Sequence, residues 1–259
     1  METIRYDDTG SGFPIVWIHG FPLSPAIFEP QLAIQGFRHL RPHLRGFGST
    51  PPPSVAMSMA DYARDVVGVM IAAGVERAVI AGFSMGGYIA MQMLRDAPRR
   101  FAGLLLLDTR ELADTGEVRA NRLRQAAEVE ATGTTRSVVE AMLPKLVFSE
   151  GDRPRVRAIM ESASPRGVVA ALEAMAGRPD STGTLRGVRV PTLVVVGDRD
   201  EITPAADAER MAALIPGAQL APIAKAGHMA NFERPEQLNP LLAAFLTDNV
   251  LRHEHAQSL

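Results

Sequence analysis

Short unbroken apolar runs alternate along this chain with segments whose apolar residues recur every three or four positions. Ile15-Val16-Trp17-Ile18, Ala78-Val79-Ile80-Ala81, Leu104-Leu105-Leu106-Leu107 and Leu193-Val194-Val195-Val196 are such runs. A short stretch without polar interruption suits a strand covered on both faces, as in a parallel sheet. Phe37–Pro42 is a poorer strand, interrupted by Arg38 and His39, and is expected near one edge. Gln219–Ile223 contains Pro222, whose missing N–H is tolerated at an edge, so it is expected at the other. Strands that alternate with helical patterns predict βαβ units and an α/β fold with a mostly parallel central sheet flanked by helices.

The helical segments carry boundary signals. Ser58 and Asp61 have the spacing of a capping box, and Gly74 fits the position just past a helix end. Thr203-Pro204 and Asn239-Pro240 each read as an N-cap followed by proline in the first helical position, because an interior proline costs ~3 kcal/mol. Residues 252–259, with His253 and His255, read as a frayed tail rather than a metal-binding pair.

Between Leu112 and Asp180 the strand–helix rhythm stops. Val138, Val139, Met142, Leu143 and Leu146 fall at helical spacing, as do Val156, Ile159, Met160 and Ala163, and then Val168, Val169, Leu172 and Met175. The prediction is a helical lid, residues 113–180, inserted into a core made of residues 1–112 and 181–259. Ordinary crossover helices are the plainer alternative, but roughly seventy residues is far more than one crossover needs.

Composition narrows the chemistry. The chain has 259 residues, 46% hydrophobic and 22% charged, with a net charge of -2. That balance is ordinary for a globular protein and gives no reason to expect nucleic acid or a membrane surface as partner. There is no cysteine, which excludes disulfides, a thiol nucleophile and cysteine-ligated metal centres. The first residues lack a signal-peptide pattern and no apolar run approaches membrane-spanning length, so a cytoplasmic location is expected.

Gly82-Phe83-Ser84-Met85-Gly86 matches G-x-S-x-G. The five residues alone have little specificity. Their setting supplies it: the motif directly follows the run Ala78–Ala81 and directly precedes a helical pattern from Tyr88 to Leu94. A strand-to-helix turn this tight strains the serine and exposes its Oγ, and it demands small neighbours two positions away on either side. The helix start also offers free N–H groups to developing negative charge.

A serine hydroxyl needs a base. His228, in Ala226-Gly227-His228-Met229, lies between the last predicted strand and the last helix, downstream of both the serine and a candidate acid. The histidine in turn needs a carboxylate to hold its tautomer. Asp200, in Gly197-Asp198-Arg199-Asp200 after the strand Leu193–Val196, is the first choice, with Asp198 and Asp108 as alternatives. For the oxyanion, the turn His19-Gly20-Phe21-Pro22 after Ile15–Ile18 can supply the backbone N–H of Phe21, and Met85 the second. His19 reads as a support of that loop.

These pieces, together with Arg45-Gly46-Phe47-Gly48-Ser49, resemble the α/β-hydrolase superfamily over essentially the whole chain. Within it, the chain is similar to small carboxylesterases and 3-oxoadipate enol-lactonase-like enzymes. The resemblance implies a four-helix cap where the lid is predicted, a triad of Ser84, Asp200 and His228, and oxyanion donors Phe21 and Met85. Two departures stand out. The family usually has Asp where this chain has His43, which reads as a changed loop contact, with a pH switch as the alternative. Many relatives also begin with an extra strand that this N-terminus is expected to lack, leaving a sheet edge exposed or differently covered.

The expected function is hydrolysis of a small carboxylic ester or lactone through an acyl-enzyme, with no metal or organic cofactor. Hydrolytic C–C cleavage of diketone-like substrates and cofactor-free perhydrolysis are the alternatives among enzymes. A non-catalytic small-molecule receptor is the alternative from another class. Dehalogenase and epoxide hydrolase chemistry are disfavoured because their relatives in this fold use a carboxylate nucleophile. The expected pocket lining is Phe21, Leu23, Phe28, Met85, Met142, Leu146 and Met229. Arg110 stands where it can meet a substrate carboxylate or pair with Asp114. The oligomeric state is not legible in the sequence.

Overall fold

The computed structural model describes residues 3–257. Seven strands form one sheet: β1 (Tyr6–Gly10), β2 (Phe13–Ile18), β3 (Phe37–Pro42), β4 (Ala78–Phe83), β5 (Phe101–Leu107), β6 (Thr192–Gly197) and β7 (Gln219–Ile223). Their order is β1-β3-β2-β4-β5-β6-β7. All neighbours are parallel except β1, which runs antiparallel to β3.

The unbroken apolar runs divide by parity. Val16, Ile18, Ile80, Leu104, Leu106, Val194 and Val196 enter one apolar cluster; Ile15, Trp17, Val79, Ala81, Leu105, Leu107, Leu193 and Val195 enter the other. Successive side chains on a strand point to opposite faces, so a run apolar at every position needs cover on both. Helices α1 (Met59–Ala72), α2 (Met85–Asp96) and α8 (Ala205–Leu214) contribute to the first cluster, and α10 (Pro235–Phe245) to the second.

The N-terminal strand is a correction. Tyr6–Gly10 has no apolar alternation, yet it pairs with β3 in register from Tyr6↔Pro42 to Gly10↔Arg38. Ion pairs accompany this ladder: Asp8 pairs with Arg38 at 2.6 Å and Asp7 with Arg41 at 3.1 Å. The edge therefore falls on a polar strand, and Phe37–Pro42 lies one strand inside it. The imidazole of His39 is buried there, accepting from Trp17 Nε1 at 3.0 Å and donating to the Ile34 carbonyl at 3.1 Å. Gln219–Ile223 occupies the other edge.

Between β5 and β6 lie α3 (Gly116–Thr132), α4 (Arg136–Leu146), α5 (Arg153–Glu161), α6 (Pro165–Ala176) and the short α7 (Thr182–Arg186), with no strand among them. The capping box at Ser58 is present, and Gly74 sits just past α1 at φ 68°. Three boundary expectations fail. Pro204, not Thr203, precedes α8, because the Thr203 hydroxyl is turned onto Asp200. α10 begins at Pro235 and carries Pro240 inside it; Asn239 is helical and its side chain donates to the Pro30 carbonyl at 2.8 Å. Arg252–Gln257 is helix α11, not a frayed tail, held by Arg77 on Glu254 at 2.8 Å. Ser258 and Leu259 lie outside the described residues, as do Met1 and Glu2 at the other end.

Candidate active site

β4 passes into α2 through Ser84 alone. Ser84 has φ 52° and ψ −114°, a conformation that a side chain rarely adopts and that packed surroundings must impose. Here the surroundings are backbone. A Cβ at Gly86 would lie 2.0 Å from the Ile18 carbonyl oxygen, and one at Gly82 would lie 2.5 Å from that of Gly86. A Cβ at Gly87 would meet Thr109 Oγ1 at 2.4 Å, and that hydroxyl donates to the Ser84 carbonyl at 2.8 Å. From Ala78 to Met91 every residue except Ser84 is buried. The turn thus presents one hydroxyl to the outside.

His228 Nε2 lies 2.8 Å from Ser84 Oγ, and His228 Nδ1 lies 2.8 Å from Asp200 Oδ2. Burial raises the Asp200 carboxyl, but the imidazole and the donors from Thr203 outweigh it and leave the group below the usual carboxylate range. An ionised Asp200 only accepts, so Nδ1 carries the proton and Nε2 offers its lone pair to the serine hydroxyl. Asp200 Oδ1 accepts from the backbone N–H of Ile202 at 2.8 Å and of Thr203 at 2.9 Å, while Thr203 Oγ1 donates to Oδ2 at 2.6 Å.

The other two carboxylates do different work. Asp198 Oδ1 accepts from the Ala226 N–H at 3.3 Å, tying the turn after β6 to the loop after β7. Asp108, at φ 44°, accepts from the Gly197 N–H at 2.8 Å and so fastens the ends of β5 and β6. Burial first, and the Asp200 charge second, push the Asp108 carboxyl well above its ordinary value. Of the three, Asp200 is the carboxylate hydrogen-bonded to His228 among the described residues.

A Cβ on Gly20 would lie 3.0 Å from Ser84 Cβ, which brings the turn carrying Phe21 against the serine. Among the described residues the amide N–H groups of Phe21 and Met85 make no backbone hydrogen bond. His19 braces this turn. Its Nδ1 donates to the Gly20 carbonyl at 2.9 Å and its Nε2 accepts from the Leu44 N–H at 3.2 Å. Burial lowers the His19 imidazole to about 3, so it is a neutral strut.

The expected lining residues split between the two apolar clusters. Leu23, Phe28, Leu146 and Met229 are in one, Phe21 and Met85 in the other, and Met142 packs against both. Arg110 does not pair with Asp114. Its guanidinium meets Asp207 at 3.2 Å and donates to the Ile202 carbonyl, while Asp114 is taken by Arg122 at 2.6 Å and Arg178 at 2.5 Å. Asp114 is thus buried between two nearer guanidinium groups, and Arg110 is drawn to the loop that carries Asp200. His43 accepts from the Ser49 N–H at 3.1 Å and lies 3.3 Å from Asp7.

The sequence reading gave no place in the site to three residues: Thr109, Thr203 and Glu233. Thr203 had a signal, since an Asp three residues before a Thr makes a local turn in which the carboxylate accepts backbone N–H groups. Thr109 and Glu233 had none, because the partner of Thr109 lies 25 residues away and those of Glu233 lie 6 and 84 residues away, at spacings that no local motif marks. Among the described residues no group of three or more His, Asp or Glu side chains is arranged to hold a metal ion. No helix there is long and apolar enough to cross a membrane.

Comparison with known proteins shows which family has this fold. The AB hydrolase superfamily protein YisY of Bacillus subtilis (strain 168) is 32% identical, over 94% of this chain and 95% of its own. A thermophilic esterase from Thermogutta terrifontis, solved with malate bound, superposes with a TM-score of 0.90 at 37% identity, over 94% of this chain and 93% of that one. Est816, described as an N-acyl homoserine lactone degrading enzyme, superposes with a TM-score of 0.74 at 31% identity, over 93% and 96%. The sequence profile of the alpha/beta hydrolase family matches residues 15–241, and the chain belongs to that family.

Proposed function

We propose that this protein is a serine hydrolase of small carboxylic esters or lactones, working through an acyl-enzyme. The observation that carries the reading is the hydrogen-bonded line Asp200–His228–Ser84, with 2.8 Å at both links, ending on the one hydroxyl its turn exposes. In this reading Ser84 Oγ attacks the acyl carbon while His228 Nε2 takes its proton. The imidazolium is stabilised by Asp200, and the oxyanion accepts from the N–H groups of Phe21 and Met85. One such donor is worth about 10²–10³ in kcat. Collapse of the tetrahedral adduct expels the alcohol, which takes the proton from His228. Water then repeats the sequence on the acyl-enzyme and frees the acid.

The Thermogutta terrifontis esterase and the lactone-degrading Est816 are relatives whose chemistry fits this line of residues. A fluorophosphonate probe tests the reading. It should label Ser84 and no other residue, read by mass spectrometry of the digest, and an activated acetate ester should be turned over continuously. Labelling elsewhere, or none, overturns the nucleophile assignment. Labelling without turnover on a panel of esters and lactones points instead to a receptor built on the same fold.

A further inference from the structure

Glu233 is a buried carboxylate, 4% exposed, that plays no part in the line from Asp200 to Ser84. It closes the short helix α9 (Ala230–Glu233) just after the histidine loop. Its Oε1 accepts from the Gly227 N–H at 2.8 Å, and its Oε2 accepts from the Ser149 N–H at 2.7 Å. Gly227 directly precedes His228. Ser149 belongs to the connector that leaves α4, inside the insertion between β5 and β6. The contact is tight: a Cβ on Gly227 would lie 2.9 Å from the Phe148 nitrogen and 3.0 Å from Glu233 Oε1. Burial raises this carboxyl, opposed by the two backbone donors, so the fold keeps an acid where an apolar side chain would be cheaper to bury.

The backbone on the other side of the histidine loop is also held. The Arg199 N–H donates to the Ala226 carbonyl at 2.8 Å, and a Cβ on Gly197 would lie 2.0 Å from the Gly227 carbonyl oxygen. Gly227 is therefore pressed between the acid loop on one face and the Glu233 carboxylate with the Phe148–Ser149 connector on the other. Holding an imidazole to hydrogen-bond length at both nitrogens requires its backbone to be fixed from both sides, and Glu233 supplies the second side.

We propose that Glu233 is a positioning residue for His228, its carboxylate clamping the amide of Gly227 and tying that amide to the insertion through Ser149. This rests on the serine-hydrolase reading. Glu233→Gln tests it, because a carboxamide offers one acceptor oxygen and turns an NH₂ on the remaining N–H donor. Activity on an activated acetate ester is expressed per site titrated with fluorophosphonate. Since an error near 1 Å can cost about 10²-fold, kcat per titrated site should fall about tenfold or more, with KM within about threefold. The labelling rate of Ser84 should fall by the same factor.

Ser149→Pro is the second variant. Ser149 has φ −75°, which proline adopts, so this change removes the donor to Oε2 and leaves the bond to Gly227. Its kcat per titrated site should fall about threefold, less than for Glu233→Gln. If Glu233→Gln keeps its kcat per titrated site and loses only thermal stability or titratable fraction, Glu233 merely holds the fold and the proposal is overturned. If Glu233→Gln does not fold, an unchanged kcat in Ser149→Pro overturns it alone. A wild type whose Ser84 does not label overturns the hydrolase reading and this inference with it; a labelled wild type with an unaffected Glu233→Gln overturns this inference only.

Discussion

Asp200 and Asp108 are neighbouring buried carboxylates whose surroundings drive them in opposite directions. Burial raises Asp200, but the imidazole and the Thr203 hydroxyl and N–H outweigh it and hold the group below the usual range; Asp108 is held well above it by burial and by the Asp200 charge. Such a divergence separates a charged role from a neutral one. On the proposed mechanism Asp200→Asn removes the charge that stabilises the imidazolium and should lower kcat by about 10⁴-fold while the circular dichroism spectrum is unchanged. Asp108→Asn keeps a near-isosteric side chain at a left-handed backbone position that Asn tolerates, and should retain kcat within about tenfold. A crippled Asp108→Asn beside an active Asp200→Asn would reverse the assignment. The same raised carboxyl has a stability signature. The folded state holds the Asp108 proton more tightly than the unfolded state, so its contribution is complete below about pH 3.9 and is lost as pH rises through the folded value. Asn does not titrate. The Tm of Asp108→Asn minus that of wild type should therefore grow from pH 4 to pH 8, and a flat difference would refute the raised carboxyl.

At the level of elements, backbone contacts without side chains decide geometry in two places. One is the serine turn, where Gly82, Gly86 and Gly87 let β4, α2 and the end of β2 touch. The other joins the insertion to the core. A Cβ on Gly167, in the first turn of α6, would lie 2.5 Å from Gly46 Cα, and the Ser164 N–H donates to the Gly46 carbonyl at 2.9 Å. Gly167→Ala should therefore destabilise by about 1–3 kcal/mol through overpacking, read by urea denaturation. It should also disturb the loop of Phe47, whose ring meets those of His19 and Phe21. Pro240 is the opposite case. It is exposed and sits inside α10, where it forfeits a helical hydrogen bond. Pro240→Ala should raise stability by about 1–3 kcal/mol. An unchanged or lower midpoint would show that the chain on either side, which Asn239 fastens to Pro30, already absorbs the cost.

For the molecule as a whole, the proposed hydrolase reading, with Leu23, Phe28, Leu146 and Met229 as the proposed lining, predicts a small acyl site. Leu23 is 1% exposed, and Phe28, Leu146 and Met229 are 0% exposed; all four are already satisfied by their own neighbours. A long acyl chain has to open that packing, which at protein-interior density is costly. Short acyl esters should accordingly give higher kcat/KM than long ones, measured from acetyl to dodecanoyl. A preference for the longest chains would show that the insertion yields to substrate.

The period and continuity of apolar residues, with the turn glycines, determined the sheet, its buried strands and the helices between β5 and β6, because those signals are local and the physics of burial reads them directly. G-x-S-x-G after a strand, followed by Asp200 and His228 in that order, likewise marked the residues that meet. What lay beyond the sequence depended on partners far along the chain. β1 is polar, and its backbone pairs with β3 only in the fold, where Asp7 and Asp8 meet Arg41 and Arg38. The choice among Asp108, Asp198 and Asp200 needed the loops after β6 and β7 packed backbone to backbone, since all three share the same end of the sheet. Glu233 carried no sequence signal at all: its two donors lie 6 and 84 residues away, and only the fold brings them to one carboxylate.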